Sequence, residues 1–250
     1  MEHVIVGAHG KLARHLSRVL VQRGDSVRGI IRDPQQRDDL RADGAIPVLL
    51  DLEGARVTDL AEAMAGADDI VFAAGAGSSG GMERKRSVDR DGAILAAAAA
   101  QAAGVRRFLL ISSFNIDKPQ PADAGAAWLA YLEAKREAET ALKTTSLDWT
   151  ILRPGALTDD AATGRVHIAH EIDSGTIPRA DVAAVIAALI ATPRSIGQTL
   201  LAVSGEEPVE AAVARVGLPS TVANRADDDE ADRGNASYGQ EISAATREAS

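Results

Sequence analysis

The sequence predicts an α/β fold, a doubly wound parallel sheet with a small C-terminal lobe. Three observations carry this. Short apolar runs recur at 3–6, 26–31, 46–50, 69–73, 107–111 and 147–152. Between them lie amphipathic or alanine-rich stretches of helical length, joined by short polar links. The first run breaks at Gly7, and Gly10 and Ala13 follow at three-residue steps. Such alternation calls for parallel strands with helices on both faces.

The bounds agree. A chain of 250 residues forms one large domain, or one domain with a small lobe. Aromatics are only 3%, so the core must be aliphatic. A net charge of −9 argues against a nucleic-acid-binding surface. With no cysteine, disulfides, thiolate metal sites and cysteine nucleophiles are excluded. No apolar run is long enough to span a membrane, and no basic-then-apolar leader opens the chain. The expectation is a cytoplasmic protein with a small-molecule substrate, and neither a nucleic acid nor a membrane as partner.

In order, His3–Val6 is the first strand. Gly7 lets the chain turn sharply, Gly10 lets a diphosphate approach the backbone, and Ala13 lets the helix pack close. Leu12, Leu16, Val19 and Leu20 form that helix's apolar face, and its N-terminus offers N–H groups to phosphate. Strand 26–31 ends at Arg32-Asp33-Pro34. A helix over 35–42, strand 46–50 closing on Asp51, a helix over 57–65 and strand 69–73 follow. Residues 74–81 hold four glycines, a loop at a strand's C-terminal end, where such sheets bind ligands. A helix over 87–103, strand 107–111 ending at Ser112-Ser113, a loop over 114–123, a helix over 126–143 and strand 147–152 come next. From 156 to 177 the pattern weakens, and irregular structure with one or two short strands is expected to form the substrate side. A helix over 179–191, a strand over 199–203 and a terminal helix over 208–216 complete a domain over 1–216, its lobe built from about 156–178 and 204–216. Residues 217–250 carry seven acids against three arginines and read as a flexible acidic tail, or as an arm for a protein partner or a second copy of the chain.

Two groups of residues carry chemistry. Arg32 stands where an NAD-preferring site usually places an acid; a guanidinium there can pair with a 2′-phosphate, although Asp33 is adjacent and a solvated arginine is the plain alternative. Asp51 can accept from an adenine amino group or cap the next segment. Tyr131 and Lys135, four apart on a helix, share a face. A free phenol titrates near ~10, and a neighbouring ammonium favours its phenolate. Ser113 ends a strand on the same sheet edge and can bond a substrate carbonyl. The structural alternative pairs Lys135 with Glu139. His167 and His170, three apart, would share a helix face, without a third ligand for a metal.

At this point the sequence resembles the short-chain dehydrogenase/reductase superfamily, in its atypical branch of small NAD(P)-binding proteins with the Rossmann-like fold, often labelled NAD-dependent epimerase/dehydratase. The matching stretches include Val6-Gly7-Ala8-His9-Gly10, Ile31-Arg32-Asp33-Pro34, Asp51-Leu52-Glu53-Gly54, Ala73-Ala74-Gly75, Val88-Asp89-Arg90-Asp91-Gly92, Leu110-Ile111-Ser112-Ser113, Tyr131-Leu132-Glu133-Ala134-Lys135 and Leu152-Arg153-Pro154-Gly155. The resemblance implies a cofactor site of Gly7, His9, Gly10, Lys11, Leu12, Arg32, Asp51, Leu52, Ala73, Ala74, Gly75 and Lys135. It implies a catalytic set of Ser113, Tyr131 and Lys135, with Asp89 where typical members have Asn. NADP(H) is the expected cofactor ahead of NAD(H). The leading expectation is an NADP(H)-dependent oxidoreductase acting on a small carbonyl or alcohol. The alternatives are a sugar-type epimerase or dehydratase, and a non-catalytic NAD(P)H sensor.

Overall fold

The computed structural model describes residues 1–77, 81–114 and 116–218. Nine strands form one sheet in the order β11-β8-β10-β6-β5-β4-β1-β2-β3, and β7 pairs with β9 beside it. The first half runs β1 (Glu2–Val6), α1 (Lys11–Gln22), β2 (Ser26–Ile31), α2 (Arg37–Ala42), β3 (Ile46–Leu49), α3 (Val57–Met64) and β4 (Asp69–Phe72). There follow α4 (Met82–Arg84), a π-helical stretch Lys85–Asp91, α5 (Gly92–Ala102), β5 (Arg107–Ile111), α6 (Ala126–Lys143) and β6 (Asp148–Pro154). Then come β7 (Ala156–Thr158), β8 (Arg165–Ala169), β9 (Thr176–Pro178), α7 (Arg179–Ile190), β10 (Gln198–Ser204), β11 (Glu207–Pro208) and α8 (Val209–Ala214).

From β3 to β10 every neighbour is parallel. The order 3-2-1-4-5-6 is that of the dinucleotide-binding sheet, and it reverses between β1 and β4, opening a crevice at their carboxyl ends. Two cores flank the sheet. Leu12, Leu16 and Leu20 of α1 pack with Val182, Val185 and Ile186 of α7 on one face. Leu60 and Met64 of α3 pack with Ala96 and Ala100 of α5 on the other. Alanine on α5 allows that close approach, as an aliphatic core demands.

Three expectations are corrected. The helix expected from 87 begins at Met82 and passes through a π turn before Gly92; an extra residue per turn leaves no periodic signal in the sequence. The stretch 156–177 is expected to hold one or two short strands. It holds three strands, and β8 joins the main sheet antiparallel to β10. Val166 turns inward between exposed Arg165 and His167, the alternation of a strand with one covered face. His167 and His170 therefore do not share a helix face: His167 lies in β8, and His170 just beyond it bonds the Thr199 carbonyl. Met1–Gly217 hold together as one compact unit. The acidic tail lies, beyond Leu218, outside the described residues, as do residues 78–80 of the glycine-rich loop.

Candidate active site

The crevice at the β1/β4 switch is a cavity of ≈ 260 Å³. Gly7 makes its floor. Its φ is +82°, and a Cβ there would stand 2.5 Å from the Ala74 Cα, so both conformation and the close approach of the β4 loop require glycine. Gly7 and Ala8 donate to the Ile30 carbonyl, and Gly10 donates to that of Gly7. Gly10 differs. The nearest atom to a Cβ there would be 3.5 Å away, so protein packing alone does not demand glycine. Gly10 is also the N-cap of α1, with no side-chain cap and no acid in the first turn. The helix's free N–H groups and the missing side chain leave room for an anion, and a dinucleotide's diphosphate fits that cradle.

Gly7, His9, Gly10, Arg32, Asp51, Leu52, Ala73, Ala74 and Gly75 line this cavity. Lys11, Leu12 and Lys135 do not. Lys11 turns away to Asp159 at 2.6 Å, and the Leu12 side chain is buried in the α1/α7 core. These two can therefore offer a phosphate only backbone N–H groups. His9 lies at the rim, its Nε2 2.8 Å from Asp39. Asp51 accepts from the Glu53 N–H at 3.2 Å, a local turn.

Sequence reasoning missed Glu53 and Arg84. Both line the cavity beside Arg32. Glu53 Oε2 lies 3.7 Å from Arg32 and 3.4 Å from Arg84, and Ser87 donates to Oε1 at 2.6 Å. The Arg84 Nε is buried without a hydrogen-bond partner among the described residues. Two guanidiniums thus converge on one rim position, an arrangement suited to an anion. No spacing in the sequence joins 32, 53 and 84; two loops and helix α4 meet there.

Beyond the crevice stands the second group. Lys135 is buried, its Nζ 3.2 Å from the Ile111 carbonyl and 3.2 Å from Asp89 Oδ1. Asp89, 1% exposed, also accepts from the Ala76 N–H at 2.9 Å. Lys135 therefore pairs with Asp89. Glu139, the alternative partner, is held by Arg153 through two bonds of 2.8 and 2.7 Å. Tyr131 lies one helical turn before Lys135, whose Nζ is 5.8 Å from the ring centre. Lys85 Nζ stands 5.2 Å from the same ring, and Trp128 stacks on it at 5.5 Å. Ser113 is buried just past the end of β5 and makes no hydrogen bond among the described residues. The structure thus gathers Tyr131, Lys135 and Asp89; it shows no bond from Ser113 to them.

The amino-terminal ends of β1 and β4 carry a buried charge cluster. His3, 2% exposed, bonds Asp69 at 2.8 Å and lies 3.3 Å from Asp25. Burial works against the charged imidazole, but the Asp69 hydrogen bond and the charges of Asp69 and Asp25 outweigh it and hold His3 above its ordinary range. Burial raises Asp69 as well. Both shifts favour keeping a proton in the pair.

Comparison with known proteins agrees with this geometry. The model of a family described as NAD(P)H-binding matches residues 7–193. A protein of Bacillus subtilis named as an uncharacterized sugar epimerase is 32% identical over 217 residues, covering 86% of this chain and 100% of its own. Among solved structures, one from Bacillus halodurans, named "Putative NAD-dependent epimerase/dehydratase", is 35% identical with a TM-score of 0.79, covering 86% of this chain and 99% of that one. An anaerobilin reductase of Escherichia coli O157:H7 is 27% identical with a TM-score of 0.67, covering 82% and 97%. The crevice, the strand order and the match over most of the compact unit agree: the chain belongs to the NAD(P)H-binding family, within the atypical branch of the short-chain dehydrogenases/reductases.

Proposed function

We propose that the chain is an NADP(H)-dependent oxidoreductase acting on a small carbonyl or alcohol. The observation that carries this is the placement of Tyr131, one turn from a buried lysine, next to a crevice whose glycine turn and open helix N-terminus fit a diphosphate. Bound nicotinamide would supply or accept hydride. Tyr131 would give or take the proton at the substrate oxygen, and Ser113 would polarise that oxygen by hydrogen bonding. Asp89 fixes the position of Lys135 one turn from Tyr131. Arg32 would hold a 2′-phosphate; Arg84 and Glu53 share that rim.

Calorimetric titration with NADPH and NADH tests the cofactor reading. Tighter NADPH binding that is lost in Arg32→Ala is expected; no binding of either nucleotide refutes it. Tyr131→Phe should keep nucleotide affinity and abolish turnover across a carbonyl panel. The name of the Bacillus subtilis relative favours a second reading, epimerisation or dehydration with the nucleotide retained. Substrate conversion without net NADPH consumption would select it.

A further inference from the structure

Two ammonium groups and one carboxylate surround Tyr131. Lys135 has its counter-charge in Asp89. Lys85 has none. The residue is 8% exposed, and the only hydrogen bond of its ammonium among the described residues is a 3.4 Å contact with the Gly77 carbonyl. A buried ammonium without an anion is costly, and native structures pair such groups. Lys85 opens the π-helical stretch, whose wide turn brings both it and Asp89 inward; such turns recur at functional sites. Lys118, another lysine over an aromatic ring, is already held by the carbonyls of Ile172 and Asp173. On the outer side of Tyr131, Trp128 is 38% exposed, with its indole N–H fixed by Gln120 and its ring against the phenol.

We propose that Lys85 is the receptor for an anionic group of the substrate, and that the substrate is a carbonyl compound bearing a carboxylate, its apolar body lying against Trp128. This rests on the reading of Tyr131 as the proton donor. An ammonium beside the reacting position with no counter-ion among the described residues favours an anion, and the exposed indole supplies a flat apolar wall next to it. The nucleotide's diphosphate is the other anion within the same chemistry, so the test separates the two.

Benzoate and, separately, benzyl alcohol are titrated into the full chain, with and without saturating NADP⁺, and tryptophan fluorescence is followed. Wild type, Lys85→Met and Lys85→Arg are compared, with NADPH affinity measured by calorimetry in each. The expected result is saturable benzoate binding, weakened about tenfold or more in Lys85→Met and largely kept in Lys85→Arg. Benzyl alcohol and NADPH binding should not change. Lys85→Met should melt no lower than wild type, because it removes an unpaired buried charge. No saturable benzoate binding, or equal binding in wild type and Lys85→Met, overturns the proposal. So does a loss of NADPH affinity with benzoate binding intact, which would assign Lys85 to the diphosphate. Unfolding of Lys85→Met would make the lysine structural and would also overturn it. Failure of wild type to bind NADPH refutes the oxidoreductase reading separately, since the benzoate arm also runs without nucleotide.

Discussion

Alanine substitution at Gly7 and at Gly10 should separate a glycine the fold needs from one a ligand needs. At Gly7 an added methyl meets two obstacles. A φ of +82° costs an L-residue about 1–2 kcal/mol. The methyl would also lie 2.5 Å from the Ala74 Cα and 2.7 Å from its nitrogen. Backbone cannot swing aside as a side chain can, so an overpacking cost of about 1–3 kcal/mol is added. Gly7→Ala should therefore lose about 2–5 kcal/mol, much of a domain's usual margin. At Gly10 φ is −58° and the nearest neighbour is 3.5 Å away. Alanine is a poorer N-cap than glycine, but it lowers the entropy of the unfolded chain, so the net change should stay within about 1 kcal/mol. The methyl would project into the crevice, however, and nucleotide affinity should fall at least about tenfold. Urea unfolding measures the first quantity and calorimetry with NADPH the second. If Gly10→Ala binds nucleotide like wild type, the cradle is misassigned. If Gly7→Ala keeps wild-type stability, the steric argument is wrong.

Other consequences can be checked. His3 is held above its ordinary range, so its contribution is fully present below the unfolded histidine value of ~6.5 and is lost as pH rises through the folded value. Melting temperature should drop across that window, and His3→Gln should flatten the drop; a wild-type profile without that drop would contradict the assignment. Arg107 donates to the carbonyls of Asp148, Leu189 and Ile190 and to the hydroxyls of Thr150 and Ser195. Arg107→Met orphans these acceptors and should cost about 3 kcal/mol or more in urea unfolding; a loss under about 1 kcal/mol would show that water replaces the guanidinium. Asp89→Leu leaves Lys135 buried without its partner and should cost about 3–5 kcal/mol by the same assay. Asp89→Asn, which can still accept from the Ala76 N–H, should cost less.

Local patterns were legible and spatial convergence was not. The expected bounds of β5 and α6 coincide with the observed ones, because each is a clean periodic run between turn residues. The strand-turn-helix at Gly7 reads directly, since one short segment carries its whole geometry. The partner of Lys135 did not read that way. Glu139 is the helical neighbour by spacing, but Asp89 reaches Lys135 from another helix and Arg153 takes Glu139 from β6. Glu53, Arg84 and Lys85 were missed for the same reason: charged residues near loop ends look solvated until the fold brings them together. In β8 only Val166 is fully buried, so its alternation is too short to stand out.

The placement of β10 has a consequence for the timing of synthesis. β8 precedes β10 in the chain, yet its place in the sheet lies beyond it, and its neighbours are β10 and β11. While β8 is leaving the ribosome its future neighbour does not exist. At about 5–20 residues per second the gap amounts to a few seconds. During that interval β6 is an open edge, and the apolar side of β8 has nothing to cover it. A chain stopped before Gln198 would keep both exposures permanently, so the nucleotide crevice, whose lining ends at Val88, is made long before the sheet that carries it is closed.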